Sequence, residues 1–191
     1  MARPREFSTD DALGQAMDVF WSKGYQATTL GDLTRAMGIS KSSFYDTFGS
    51  KHELYLASLE RYRAAMHERL LAGLESEAPA RAAIAAVFAH IVEAAEGDRR
   101  GCFIGNCASE MAPHDAAAAR QVTAALDRLE AAYVVAIERG QRAGDIAGDR
   151  EPRALARYLT SSTQGLQLMA KANPDRAALA DVARIVLAAL D

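Results

Sequence analysis

An all-α protein is predicted by three observations. Half of the 191 residues are hydrophobic and only 7% are aromatic; alanine recurs in blocks such as residues 116–119; and apolar residues return at spacings of three and four, with no alternating run long enough for a sheet. This length allows a small head joined to a larger body, each with its own core. The expected division is residues 1–50 and 51–191, with nine or ten helices in all.

The first helix opens at Ser8-Thr9-Asp10-Asp11, which supplies a hydroxyl cap and acids for the first turn, and continues through Leu13, Ala16, Met17 and Phe20 to a stop at Gly24. Thr29-Leu-Gly-Asp32 is a capping-box pattern with Asp in place of the commoner Glu. It opens a short helix with Leu30, Leu33 and Met37 on its apolar side, ended by Gly38. Ser40 caps a third helix, residues 41–48, with Phe44 and Phe48 on one face and Lys41, Ser42, Tyr45 and Asp46 on the other.

Ser50-Lys-His-Glu53 is a further capping box, predicting a long helix to about Leu74 through Leu54, Ala57, Arg61 and Tyr62. Beyond Pro79, helical period is kept by Ile84, Val87, Phe88 and Ile91, then by Val122, Leu126, Leu129, Tyr133 and Ile137, then by Leu155, Leu159, Leu166 and Met169. Gly140 to Gly148 reads as a loop. A last helix is expected to begin with Pro174 near its first position and to run through Leu179, Val182, Val186, Leu187 and Leu190.

Several function classes recede on composition. No stretch approaches the roughly 18 uninterrupted apolar residues of a membrane-spanning helix. Cys102 and Cys107 are too few and too close together for a secreted disulfide framework, and the first residues hold no apolar segment of a secretory leader, so a soluble cytoplasmic protein is expected. A di-iron carboxylate bundle needs paired Glu-x-x-His motifs, but the residues three before His52, His67, His90 and His114 are Gly49, Ala64, Val87 and Met111. The Cys107 and His114 pair has no evident third partner. No enzyme, metal site or cofactor is expected.

The net charge of -3 argues against a nucleic-acid partner at first sight. Residues 1–63, however, hold eight Lys/Arg and eight Asp/Glu, leaving fourteen of the 22 basic and seventeen of the 25 acidic residues to the remainder. The acidity belongs to the body, and binding depends on where the head's cations point.

The two short helices and their Gly38-Ile39-Ser40 turn have the proportions of a helix-turn-helix. In such a unit the second helix enters the major groove N-terminus first, so that end must be small and hydrogen-bonding while the opposite face is bulky and apolar. Residues 40–48 meet both demands. Lys41, Ser42 and Ser43 can reach base edges or phosphates, the helix N-termini at Thr29 and Ser40 suit phosphate oxygens, and Tyr45 and Lys51 are further phosphate candidates. Arg3 and Arg5 flank Pro4 on an arm suited to a minor groove, although a plain unstructured terminus explains them equally well. On periodicity alone, any three capped helices would give the same pattern.

The runs Phe20-Trp-Ser-Lys-Gly-Tyr-Gln-Ala-Thr-Thr-Leu-Gly-Asp-Leu33 and Ala36-Met-Gly-Ile-Ser-Lys-Ser-Ser-Phe-Tyr-Asp-Thr-Phe-Gly-Ser-Lys-His-Glu-Leu54 resemble the DNA-binding signature of the TetR family of transcriptional regulators nearly position for position. The resemblance spans residues 8–55, with a looser echo in Gly144-Asp-Ile and Glu151-Pro152. It implies that Thr29, Lys41, Ser42, Ser43, Tyr45 and Lys51 hold double-stranded operator DNA while Trp21, Phe44 and Phe48 are core. The chain departs from the family at Ser42, where glycine is frequent, and at Asp46, where a non-acidic residue is usual. Asp46 can accept from a cytosine amino group, orient Lys41, or stay solvated.

The resemblance further implies a homodimeric repressor, built through the last two helices, that reads a palindrome and is released by a small molecule held in the body. Pocket candidates are Phe88, Cys102, Phe103, Asn106, Glu110, Tyr133, Gln164 and Gln167, which combine apolar walls with a few polar groups. Cys102, Asn106 and Glu110 share a face if residues 101–111 are helical. Two other readings stand beside this one: a repressor that senses oxidants or electrophiles through Cys102, against which both cysteines are simply small core residues, and a helical interaction protein that has lost DNA binding.

Overall fold

The computed structural model describes residues 7–66 and 70–191, and every regular element among them is helical. The chain folds into two compact units: a head of residues up to Ala64 together with Asn106–Val122, and a body of Ala65–Gly105 with Thr123–Asp191. The arm with Arg3 and Arg5, and His67, lie outside the described residues.

In the head, α1 (Thr9–Lys23) starts where the Ser8 side chain accepts from the Asp11 N–H, and ends at Gly24, whose φ of 82° a side chain would resist. The expected capping box opens α2 (Leu30–Met37): Thr29 accepts from the Asp32 N–H and Asp32 accepts from the Thr29 N–H. Gly38 closes α2 in the left-handed conformation, Ile39 N–H returns to Thr34 O, and Ser40 reopens the chain into α3 (Lys41–Phe48) by accepting from Ser43 N–H. Next comes α4 (Lys51–Met66), where Glu53 N–H donates to Ser50 Oγ. The expected continuous helix to Leu74 is described only to Met66. Residues 70 and 71 are π-helical and lead into the short α5 (Ala72–Glu75).

The head core is aromatic as well as aliphatic. Phe20 meets Tyr55 edge-on at 5.1 Å between ring centroids, and Tyr55 meets Tyr25 at 4.9 Å, so one cluster ties α1 and its following loop to α4. Leu33, Phe44, Leu54 and Leu59 are fully enclosed. Of the three expected core aromatics only Phe44 is buried. Trp21 is half-buried with its ring edge on Tyr62, and Phe48 is half-buried beside Phe44, because both sit near the margin of a unit too small to cover them.

The body is built on α6 (Ala80–Ala94), α8 (Ala116–Ala143), α9 (Pro152–Ala172) and α10 (Arg176–Leu187), with a final 3-10 turn at Ala188–Leu190. Its core joins Ile84, Val87, Phe88 and Ile91 to Leu129, Tyr133, Ile137, Leu155, Leu159, Leu166, Leu179 and Val186. The helix α7 (Phe103–Glu110) begins in the body's share of the chain and ends in the head's, and the first residues of α8 likewise belong to the head.

Gly140 is not in a loop: α8 continues to Ala143, and Gly140 is buried because Ile146 folds over it, where a Cβ would lie 2.6 Å from Ile146 Cδ1. Pro174 does not start the last helix. Asp175 caps α10 by accepting from the Ala177 and Ala178 N–H groups, which starts the helix at Arg176. On the body helices Met169 and Val182, read as apolar-face residues, are exposed.

Candidate nucleic-acid interface

The outer edge of α3 is made by the turn that precedes it. Ser40 spends its hydroxyl oxygen on Ser43 N–H at 3.1 Å and lies 3.0 Å from Ser43 Oγ, which fixes the first turn of the helix. Lys41 and Ser42 are then exposed, Phe44 is fully buried, and Tyr45 stands 55% exposed with its ring set edge-on against Phe44 at 5.3 Å. A small, polar, solvent-facing N-terminus thus rests on a rigid apolar base. Ser42 Oγ is 3.5 Å from Asp46 Oδ2, so the unusual acid faces back along its own helix toward the serine one turn earlier.

Thr29, expected to hold DNA, is engaged in the capping box of α2. Its N–H and its hydroxyl both donate to Asp32 Oδ2, at 3.0 and 2.8 Å. With the capping box closed, both Thr29 donors are directed at Asp32. Asp32 is anchored further by Lys23 Nζ at 2.9 Å, and these partners, Lys23 first, hold its carboxyl well below the usual range.

Lys51 is half-buried, with its ammonium 4.3 Å from the centroid of the Tyr25 ring. Burial lowers its pKa and the nearby Glu110 carboxylate opposes that shift. Glu110 itself, expected among the pocket residues, lies in the head: Oε2 accepts from Tyr25 N–H at 3.0 Å and Oε1 from Gln26 N–H at 2.9 Å. Asn106 also belongs to the head. His52 Nε2 lies 2.6 Å from Asp115 Oδ2. The pairings of Glu110 and of His52 left no trace in the sequence, because their members are 63 to 85 residues apart.

The other pocket candidates fall in the body. Phe88, Phe103 and Tyr133 are buried, and Tyr133 OH lies 2.8 Å from Thr163 Oγ1. Gln164 Oε1 would be 3.0 Å from a Cβ at Gly105, which brings α9 against α7. Sequence reading missed Thr160: its Oγ1 and the Oε1 of Gln167 are buried without a hydrogen-bond partner, and the two residues lie seven apart on one face of α9. Cys102 and Cys107 are both buried and unpaired by disulfide; burial pushes the Cys107 thiol up, and a hydrogen bond with Tyr55 opposes it. Among the described residues no group of three or more His, Cys, Asp or Glu is placed to hold a metal ion, and no helix is long and apolar enough to cross a membrane.

A head of this construction is that of a helix-turn-helix DNA-binding protein, and known proteins carry the assignment further. Residues 12–58 match the model of bacterial regulatory proteins of the tetR family, and residues 78–186 match that of a tetracyclin repressor-like C-terminal domain. The HTH-type transcriptional regulator YezE of Bacillus subtilis is 34% identical over 194 residues, covering all of both chains. The HTH-type transcriptional repressor ComR of Escherichia coli is 31% identical over 174 residues, 88% of this chain and 82% of that protein. A cysteine mutant of the TetR family regulator CifR, solved with 26-base-pair double-strand operator DNA, superposes with a TM-score of 0.88 at 31% identity, covering 99% of this chain and 100% of that one. The chain belongs to the TetR family of DNA-binding transcriptional regulators.

Proposed function

We propose that this protein is a homodimeric repressor that binds a palindromic operator through α3 and releases it when a small molecule occupies the body. The observation that carries the reading is the exposed Lys41, Ser42 and Tyr45 edge of α3, backed by the fully buried Phe44. Lys41 to Ser43 read the major groove, and Tyr45 and Lys51 hold phosphates. Thr29 and Ser40 act as caps that aim helix N-termini, in keeping with the hydrogen bonds each already makes. Residues 1–50 carry the DNA-reading helices and 51–191 the functions of ligand binding and dimerisation. The solved complex of CifR with operator DNA supports the partner, and the naming of ComR as a repressor supports the sign of control.

Dimerisation uses α9 and α10, which expose Tyr158, Leu168, Met169, Val182 and Ile185. Large apolar side chains left exposed on two helices that contact each other suit an interaction site. Orphaned polar atoms on α9 support a ligand: Thr160 Oγ1 and Gln167 Oε1 have no partner, and buried polar groups left so cost free energy that a bound molecule with donors would recover. The pocket set is therefore Phe88, Cys102, Phe103, Tyr133, Thr160, Gln164 and Gln167, without Asn106 and Glu110.

The test is selection of duplexes from a random DNA pool with purified protein, followed by anisotropy titration of the enriched sequence at two salt concentrations. An enriched palindrome bound with steep salt dependence is the expected result. A folded dimer that enriches no sequence would overturn the reading and favour a helical interaction protein.

A further inference from the structure

Glu110 occupies an unusual position for an acid. It is the last residue of α7, where the helix dipole presents its negative end and disfavours a carboxylate. Compensation comes from the head, where Tyr25 and Gln26 aim consecutive N–H groups at its two oxygens, at 3.0 and 2.9 Å. Successive backbone N–H groups of this kind make a small anion-binding concavity, here filled by a side chain of the same protein 84 and 85 residues away.

The loop is shaped to admit that carboxylate. Gly24 has a φ of 82°, and a Cβ there would lie 2.9 Å from Oε2 and 3.1 Å from Oε1 of Glu110. Gly24 is thus required twice, by its backbone conformation and by the closeness of the carboxylate. From this point the path to the DNA-reading elements is short. Gly24 O accepts the Thr28 hydroxyl at 2.6 Å, Thr28 is buried, and Thr29 caps α2 through Asp32. The Tyr25 ring carries Lys51 on its face.

We propose that Glu110 is a positioning residue for operator recognition, latching the α1–α2 loop so that α2 is held in the arrangement that specific DNA binding needs. The inference rests on the operator-binding reading above. It makes a prediction opposite in sign to simple electrostatics. Removing a negative charge from the head would, as a charge effect alone, strengthen all DNA binding by easing phosphate attraction. Loss of a latch instead weakens the selected operator and leaves random duplex unaffected or bound more tightly.

The experiment compares full-length wild type with Glu110→Gln and Glu110→Ala, titrating the selected operator and a random duplex of equal length. Thermal melts and circular dichroism check folding. Expected is a loss of operator affinity of about tenfold for Glu110→Ala, on the scale of charge-assisted hydrogen bonds, with a smaller loss for Glu110→Gln, which keeps the shape and one acceptor. The ratio of operator to random-duplex affinity falls in both. In nitrogen-15 spectra the Tyr25 and Gln26 amide protons shift on substitution.

Should Glu110→Ala fail to fold, Glu110→Gln and Gly24→Ala serve, the latter pressing a Cβ against the carboxylate. Its loss of operator affinity is expected to be smaller in a Glu110→Gln background than in wild type. Operator affinity that is unchanged, or that moves in parallel with random-duplex affinity, overturns the inference while operator binding by wild type stands. Wild type that selects no operator overturns both.

Discussion

Asp115 and His52 are joined across 63 residues of sequence, with Oδ2 of the acid 2.6 Å from Nε2 of the histidine. The other oxygen, Oδ1, accepts from Ala118 N–H at 2.7 Å, so the same carboxylate caps α8 and ties it to the first turn of α4 within the head. The Ala118 bond is the leading reason its carboxyl is held below the ordinary range, with His52 contributing further. A carboxylate whose folded pKa is depressed adds stability that is fully present above its unfolded pKa and is lost as pH falls through the folded value. Asp115→Ala is expected to lower stability near neutrality by about 1 kcal/mol, the usual scale of a lost cap. The difference from wild type should shrink as urea melts are repeated at progressively lower pH below about 4, the ordinary range for aspartate. A difference constant across that range would remove Asp115 from the acid response.

Much of the head was legible because its signals are local. Ser8, Thr29, Ser40 and Ser50 each cap the helix that their spacing announced, and Gly24, Gly38 and Gly49 each stop one with positive φ. What the sequence withheld is what tertiary packing decides. Gly140 looks like a loop residue until Ile146 is seen lying over it, and Glu110 looks like a pocket acid until the loop at Tyr25 is seen facing it. Met169 and Val182 follow helical period, and period marks an apolar face without saying whether the chain itself covers it.

Gly140 gives a direct check of that packing. Alanine is about 1 kcal/mol better than glycine in a helix interior, so propensity alone favours Gly140→Ala. The new Cβ would meet Ile146 Cδ1 at 2.6 Å and the Ala80 Cβ at 2.9 Å, and overpacking of this kind costs about 1 to 3 kcal/mol. Net destabilisation is therefore expected in chemical denaturation. Ile146→Val, which shortens the side chain that folds over Gly140, should recover part of it in the double variant. A more stable Gly140→Ala protein would mean that the neighbours shift at little cost.

Tyr133 and Thr163 supply an asymmetric pair of substitutions. Thr163 Oγ1 lies 2.8 Å from both Tyr133 OH and Leu159 O, and a carbonyl can only accept. The threonine hydrogen therefore goes to Leu159 and the tyrosine donates to Thr163. Tyr133→Phe removes a donor and leaves the threonine hydroxyl satisfied, at a cost of about 0.5 to 1.5 kcal/mol. Thr163→Val leaves a buried tyrosine hydroxyl without its acceptor and should cost more, about 1 to 3 kcal/mol. Equal losses from the two would show that the tyrosine finds a second acceptor.

Lys51 and Lys41 are separable by what they lose. Lys51→Ala removes a cation held on Tyr25 and is expected to weaken all duplexes about equally, lowering the slope of log affinity against log salt by roughly one unit. Lys41, at the exposed start of α3, should change which sequences are preferred, with losses on the order of 1 to 3 kcal/mol where a base contact goes. An unchanged salt slope for Lys51→Ala would take it off the phosphates and leave its role to the packing of Tyr25.

The proposed dimer is tested at the large apolar side chains that α9 and α10 leave exposed. Leu168 on α9 and Ile185 on α10 are 65% and 59% exposed within one chain, so replacing either with glutamate costs the isolated fold little, within about 0.5 kcal/mol either way. In a homodimer related by a two-fold axis each substitution appears twice, and a buried, unpaired carboxylate is expensive. Leu168→Glu and Ile185→Glu are therefore expected to sediment as monomers at concentrations where wild type is dimeric, with helicity unchanged by circular dichroism. Operator affinity should fall with them, because a monomer engages one half-site and loses the gain that comes from presenting two linked heads to one palindrome. Variants that remain dimeric would place the interface elsewhere and leave the exposed side chains of α9 and α10 for a different partner.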